Sequence, residues 1–353
     1  MDDIWVPRIT GFGVALPSIY QSQAEIPDFL PDDYPKKGFL QKVVAHCGIE
    51  GRYLAVDPIA EDVRNWSTGA RMSRHLDEAL PLSEEAIATA LKRTSLDADD
   101  IGLLCLVSST GYVTPGVDTG IARDFGMAPD TKRVSVGHMG CFAALPALEV
   151  CADFVRHNER PALMINVELS SLHLQPPPYD NQQVVVSSLF ADAAVATVVQ
   201  REQHRDGWGL EVVDVNTRTD AEHEDCMSWT VTDKGFRMGL SPQVPGVVGT
   251  HLPGMVRELL GRRGLDVSDV EWWAIHPGGP AIIDAAVNSL DLDPAAADAS
   301  RKVLHDYGNC ASAGVLMVME ALQSAAPLEP GKHGIAVAFG PGLTIYAVLL
   351  RGT

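Results

Sequence analysis

The sequence is poor in the residue patterns that mark small stapled or membrane proteins. It has six cysteines in 353 residues, none as a CxxC pair, and the closest two, Cys141 and Cys151, are ten apart. A tetrahedral zinc site built from local ligand pairs is therefore unsupported. A disulfide framework is not expected in a chain of this length without a secretory signal. The start, Met1-Asp2-Asp3-Ile4-Trp5, is acidic and lacks the apolar stretch of a signal peptide. No apolar run reaches the ~18 residues of a membrane span. Basic residues are scarce, 27 against 46 acidic, for a formal charge of −19. Such a surface repels phosphate backbones and anionic membranes. These absences predict a cytoplasmic protein with free thiols and neither nucleic acid nor membrane as a partner.

What is present is an ordinary globular composition, 46% apolar and 21% charged. Short apolar runs at Ile101–Ser108, Arg133–Val136, Ala162–Val167 and Val270–Ile275 read as strands. Gly334–Phe339 and Leu343–Leu350 read as two more around the turn Gly340-Pro341-Gly342. Helical periodicity appears at Ser83–Arg93, Cys141–His157, Val248–Arg263, Pro280–Leu290 and Cys310–Gln323. Alternation of the two kinds predicts an α/β architecture with largely parallel sheets buried on both faces. Gln175-Pro176-Pro177-Pro178-Tyr179 is expected to be a stiff loop, and the charged stretch Arg201–Asp206 a linker. The linker divides the chain into halves at residues 1–205 and 206–353. Each half has a glycine leading into a helix of small residues, at Gly140-Cys141 and at Gly308-Asn309-Cys310, a faint internal echo.

Cys141 is the most informative residue. It follows a strand and the turn His138-Met139-Gly140, and it precedes the helix-like run Phe142-Ala143-Ala144-Leu145. The N–H groups at a helix start favour thiolate over thiol and are expected to lower its pKa. Gly140 allows a tight turn and room for a carbonyl. A small buried hydrophobe is the other reading of such a cysteine. Pro146 removes an intrahelical donor, so the helix is expected to kink there or to begin later than Cys141.

A nucleophilic thiol needs a base and a group to hold the developing oxyanion. His276 ends a predicted strand before Pro277-Gly278-Gly279-Pro280, where α/β folds gather ligands. Asn309 sits before a helix, where it is either an N-cap or the third member of the site. The order Cys, His, Asn also occurs in papain-like proteases. Here about 140 residues of α/β pattern precede the cysteine, and the papain signature around it is absent.

Taken together, Gly140-Cys141-Phe142-Ala143, His276-Pro277-Gly278-Gly279-Pro280, Gly308-Asn309 and Phe339-Gly340-Pro341-Gly342-Leu343-Thr344 resemble the type III polyketide synthases, the chalcone and stilbene synthase-like enzymes. The resemblance runs from about Arg8 to Leu350. It implies the thiolase-like fold, two duplicated α/β halves in a five-layered α-β-α-β-α arrangement, as a homodimer. It implies that Cys141 carries the acyl group, and that His276 holds it as thiolate. His276 and Asn309 would bind the thioester oxygen and the enolate left when malonyl-CoA loses carbon dioxide. Acyl-CoA starter and malonyl-CoA are then substrates, and no metal or redox cofactor is needed.

The same resemblance makes Phe190 and Phe236 gatekeepers between a CoA tunnel and a cavity, and Lys42, His46 and Ala281 contacts of CoA. Lys36, Lys37 and Arg52 add positive charge near Lys42 and His46. Ser109 and Thr114 line up with positions that line the cavity or reach across the dimer. Ser170 and His173 stand where plant members carry threonines, Val186 where they often have glycine, and Ala311 where serine is common. His173 and Val186 are expected to shrink part of the pocket, which points to a short product, a pyrone or phenol. His173 is otherwise a satisfied structural histidine. Two alternatives are a ketoacyl synthase III-like single condensation, which usually carries a different tetrapeptide after the histidine, and a Cys-His-Asn hydrolase. An inactive thiolase-fold subunit is disfavoured by the intact Cys141, His276 and Asn309.

Overall fold

The structure, a computed structural model, describes residues 5–29, 36–203 and 209–353. The first part of the chain gives β1 (Trp5–Ala15), β2 (Ile19–Ser22), α1 (Lys37–His46), β3 (Gly51–Leu54), α2 (Thr68–Lys92), β4 (Leu103–Ser108) and α3 (Val117–Asp124). It continues with β5 (Lys132–Gly137), α4 (Ala144–His157), β6 (Ala162–Leu169), α5 (Asn181–Leu189) and β7 (Asp192–Gln203). The second part opens with β8 (Leu210–Thr219), a hairpin of β9 (Met227–Thr232) and β10 (Gly235–Leu240), α6 (Val244–Gly261) and β11 (Val270–Ile275). It closes with α7 (Pro280–Ser289), α8 (Asp298–Tyr307), α9 (Ala313–Ala325), β12 (His333–Gly340) and β13 (Thr344–Gly352).

The main sheet runs β5-β4-β6-β7-β1 and continues as β8-β13-β12-β11. The two runs meet where β1 pairs briefly with β8, at Arg8 with Glu211 and Ile9 with Leu210. Helices α4 and α9 lie between them, α4 against β1, β4, β6 and β7 on one side and β12 and β13 on the other. Their sequences explain this placement. Ala313–Met319 of α9 is buried at every position, which is tolerable only for a helix covered all round. One apolar cluster joins both helices to both sheets through Phe12, Val107, Ala274 and Val348. Outside it, α2 covers the first run over a second cluster, and α6 covers the second run over a third. The result is five layers, helix, sheet, helix, sheet, helix. The glycine-led echo falls on the loops that open the two central helices.

Several expectations shift. The sheets are mixed: β4/β5, β4/β6 and β11/β12 are parallel, and the other pairings of the main sheet are antiparallel. A tight turn at Pro341–Leu343 forces β12 and β13 antiparallel, and β7 returns beside both β6 and β1. The first half of the expected linker, Arg201 to Gln203, belongs to β7, and the rest, with the boundary at 205/206, lies outside the described residues. The proline run is a loop as expected. All six cysteines are buried and unpaired. Among the described residues no helix is long and apolar enough to cross a membrane.

Candidate active site

Cys141 occupies the middle of a short 3-10 turn, Gly140–Phe142, between β5 and α4. Helix α4 begins at Ala144, so Pro146 falls in its first turn and leaves the helix intact. Gly140 adopts a positive φ of 73°, and a Cβ there would stand 2.6 Å from Pro341 Cδ. The nucleophile turn and the glycine loop after β12 are therefore packed backbone to ring, and only glycine fits. The Gly140 N–H donates to Ser109 Oγ at 2.9 Å.

His276 follows β11 directly. Its N–H donates to the Val337 carbonyl at 2.9 Å, which extends the parallel pairing with β12 by one residue. The ring is buried, and Nδ1 has no hydrogen-bond partner among the described residues. Asn309 comes from the loop between α8 and α9. Its backbone is zipped to the end of α5, donating to Leu189 O at 2.8 Å and accepting from Ala191 N–H at 3.0 Å. Its carboxamide Nδ2 donates to Gly278 O at 3.2 Å, and Oδ1 accepts from Ala311 N–H at 2.9 Å. The N-cap reading is thereby corrected: α9 starts at Ala313, and the Asn309 side chain folds back on Ala311, whose φ is +46°. Gly278 ties the two residues together. A Cβ on it would lie 3.2 Å from His276 Nε2, and its carbonyl takes the Asn309 amide. Cys141, Phe190 and Ala311 share one apolar cluster.

Beneath the thiol lies a buried polar network that sequence reasoning passed over. Glu168, at the end of β6, accepts from Ser312 Oγ at 2.6 Å, Thr110 Oγ1 at 2.8 Å and Ser109 N–H at 3.0 Å. Burial pushes its carboxyl up to about 7 despite these bonds. The sequence signal was a pair of polar residues, Asn166 and Glu168, near the end of an apolar strand. Burial, then the Glu168 carboxylate, push the Cys141 thiol up to about 12, and burial takes His276 down to about 3. The expectation of a thiol lowered by a helix start is corrected. Cys141 is only 3% exposed and precedes α4 by three residues, so desolvation outweighs the field of that helix.

A cavity reaches this site at Phe190. It measures about 1030 Å³ out to open solvent and is lined by Ser170, His173, Val186, Phe190 and Phe236. All five were expected around the pocket. Phe190 belongs both to this wall and to the Cys141 cluster, and its backbone bridges to Asn309. Phe236 stacks on His173, with ring centres 4.5 Å apart and planes 11° apart. His173 Nε2 donates to Thr110 O at 2.7 Å, and Nδ1 accepts the Phe236 N–H at 2.9 Å. His173 is therefore both wall and strut. Ser109 and Ala311 are buried beside the nucleophile turn and do not line this cavity. Thr114 is exposed in the loop between β4 and α3 and does not line this cavity, which leaves the reach across a dimer as its expected place.

The basic cluster divides. Lys42 and His46 are exposed on α1, and Ala281 is exposed at the start of α7. A Cβ on Gly48, just past α1, would touch Pro280 Cγ at 3.4 Å, so these helix ends are neighbours. Lys36 binds the Asn181 side chain. Arg52 is not part of the cluster. It is buried, and its guanidinium donates to Ser187 O at 2.6 Å, Phe190 O at 2.8 Å and Gln21 Oε1 at 2.8 Å, which holds Phe190 in place.

Residues 45–202 match the N-terminal domain model of the chalcone and stilbene synthases, and residues 218–353 match the C-terminal domain model. The chain belongs to the chalcone and stilbene synthase family. It is a type III polyketide synthase, an acyltransferase of the thiolase-like fold. It is 34% identical over 359 residues to the alpha-pyrone synthesis polyketide synthase-like protein Pks18 of Mycobacterium tuberculosis, covering 98% of this chain and 91% of that one. It is 34% identical over 347 residues to the 1,3,6,8-tetrahydroxynaphthalene synthase of Streptomyces peucetius, covering 96% and 91%. The crystal structure of PKS-I from the brown alga Ectocarpus siliculosus superposes with a TM-score of 0.93 at 27% identity, over 100% of both chains. Membership sets aside the hydrolase and ketoacyl synthase III-like alternatives for this polyketide synthase.

Proposed function

We propose that this polyketide synthase loads an acyl-CoA starter on Cys141, extends it with malonyl-CoA, and releases a pyrone or phenol. The observation that carries this is the Gly278 turn. It sets a buried imidazole, whose Nε2 lies against Gly278, beside a carboxamide with one N–H left over. Loading begins when the Cys141 proton passes to His276 and the sulfur attacks the thioester carbonyl. The oxyanion accepts from His276 and Asn309. Its collapse expels the CoA thiolate, which takes the proton from the imidazolium. Malonyl-CoA then binds with its thioester oxygen at the same two donors. The electron pair of the breaking carbon–carboxylate bond moves into an enolate there, and carbon dioxide leaves. The enolate carbon attacks the acyl group on Cys141, expels the cysteine thiolate, and leaves a chain longer by two carbons on CoA. Two preorganised donors in a dry site are suited to that charge, and loss of one typically costs about 10²–10³ in rate.

CoA would lie across the neighbouring ends of α1 and α7, with Lys42, His46 and the Ala281 backbone near its phosphates. A homodimer working in the cytoplasm completes the proposal. The test is release of carbon dioxide from ¹⁴C-carboxyl malonyl-CoA, with and without acyl-CoA starters, in the wild type and in Cys141→Ala and Asn309→Ala. Organic-soluble product lost in Cys141→Ala, with release at least tenfold slower in Asn309→Ala, is expected. A folded wild type that releases no carbon dioxide overturns the reading.

A further inference from the structure

Helix α5 ends without a glycine or a left-handed residue to close it. Phe190 leaves it extended, at φ −79° and ψ 145°, and the Phe190 N–H returns to Val186 O. The carbonyls of the last turn then have no partner within the helix. Each is met from another part of the chain. Arg52, in β3, donates from Nη1 to Ser187 O at 2.6 Å and to Phe190 O at 2.8 Å. Gln23 Nε2 donates to Ser188 O at 2.7 Å. The remaining carbonyl, Leu189 O, takes the Asn309 N–H at 2.8 Å. The seam that places Asn309 is therefore one part of a helix cap, and a buried guanidinium is another. The two also meet through Gly308, whose φ is +75°. A Cβ on Gly308 would stand 2.9 Å from Arg52 Cγ and 3.0 Å from Leu189 O.

We propose that Arg52 is a positioning residue for the condensing chemistry: it closes the end of α5 and so fixes where Asn309 presents its N–H to the thioester oxygen. The inference rests on the polyketide synthase reading above, and Arg52 acts in it through Asn309. Burial lowers the Arg52 pKa to about 10 against the pull of Asp192, so the side chain is charged at neutral pH. A cation is favourably placed at a helix C-terminus. Nη2 is pinned by Gln21 Oε1 at 2.8 Å, so the planar head holds two carbonyls and one amide oxygen at once. A lysine ammonium, a point charge on a flexible stem, does not reproduce that fork.

The experiment compares two readouts in the wild type and in Arg52→Lys. Alkylation of Cys141 by iodoacetamide draws on Cys141 and His276 but not on Asn309. Carbon dioxide release from malonyl-CoA draws on both donors. In Arg52→Lys, kcat for release should fall about tenfold or more, since a donor misplaced by ~1 Å costs up to about 10²-fold. KM for malonyl-CoA and the alkylation rate should stay within about twofold. In an Asn309→Ala background, Arg52→Lys should add less than about twofold, because the residue it acts through is already gone. If Arg52→Lys does not fold, Gln21→Leu, which frees only Nη2, carries the same comparison with a fall of about threefold. Release and alkylation that fall together would make Arg52 merely structural, and an undiminished loss in the Asn309→Ala background would break its link to Asn309. Either result overturns the proposal. A folded wild type that releases no carbon dioxide removes the condensing reading and the proposal with it, whereas a releasing wild type with an unaffected Arg52→Lys removes the role of Arg52 alone.

Discussion

At Cys141 and His276, burial opposes charge on either group alone. A thiol near 12 and an imidazole near 3 are both neutral at pH 7. Under the proposed mechanism the thiolate forms with its proton on His276, as one coupled pair. That argument predicts how Cys141 reacts with iodoacetamide. In the wild type, alkylation followed by peptide mass should vary little between pH 6 and 9, since the proton moves within the pair. In His276→Ala the thiol must ionise alone, and far below its pKa the rate should climb about tenfold per pH unit. Equal slopes in the two proteins would remove His276 as the proton acceptor. The residues of this site differ in how readable they are. Cys141 and Asn309 each follow a glycine, and His276 ends a strand just before Pro277-Gly278-Gly279, which are local signals. Glu168 is not local: its partners Ser109, Thr110 and Ser312 come from the end of β4 and the loop before α9, and only the folded sheets bring them together. Ser109 was named for the cavity, and its hydroxyl instead holds the Gly140 N–H.

Among elements, the β9–β10 hairpin shows what periodicity misses. It carries Trp229 and Phe236, yet β9 is half exposed and its alternation is broken, so no strand is legible there. Its tip is fixed by the other half of the chain. The Gly235 N–H donates to Thr68 Oγ1 at 2.8 Å, and the Phe236 N–H donates to His173. Gly235 has φ +86°, and a Cβ on it would stand 2.7 Å from Arg71 Cδ and 2.9 Å from His173 Nδ1. Gly235→Ala should therefore cost about 1–3 kcal/mol, from backbone strain and overpacking against a buried arginine. The urea midpoint should fall, and an unchanged midpoint would mean that the tip is free to move. Helix α2 was legible only in its second half for a related reason. Its buried face runs Arg71, His75, Ala79, Leu82, Ala86 and Ala90, and the first two members are polar. Arg71 donates to the carbonyls of Trp66, Leu172 and Leu174, so a polar side chain serves as core, which a hydrophobic pattern does not register. The central helices were legible within three residues because α9 is apolar from Ala313 to Met319 and α4 carries an apolar face at Leu145, Leu148, Ala152 and Val155.

Across the whole molecule, five layers around a polar seam bury titratable groups of both kinds, and these set how stability answers to pH. Burial holds His173 and His276 near 3 and His75 near 4, against 6.5 for a free imidazole. The unfolded chain takes up these protons and the folded chain does not, so this stabilisation is complete above 6.5 and is lost on acidification below it. Glu168 near 7 and Asp192 near 6 act in the opposite sense: each is raised above its unfolded value, and its contribution is greatest in acid and fades as pH rises. Near pH 5 the three histidines outweigh the two carboxyls by about one proton, a slope of ~1.4 kcal/mol per pH unit. The urea midpoint should accordingly fall between pH 6.5 and 5. Replacing one of the three, His173→Gln, lowers the midpoint at every pH, because the Phe236 N–H and Thr110 carbonyl lose their fitted partner. It should also flatten the slope almost completely, since glutamine has no proton to gain. A midpoint that rises on acidification, or a slope unchanged in His173→Gln, would mean that these rings are protonated in the folded protein.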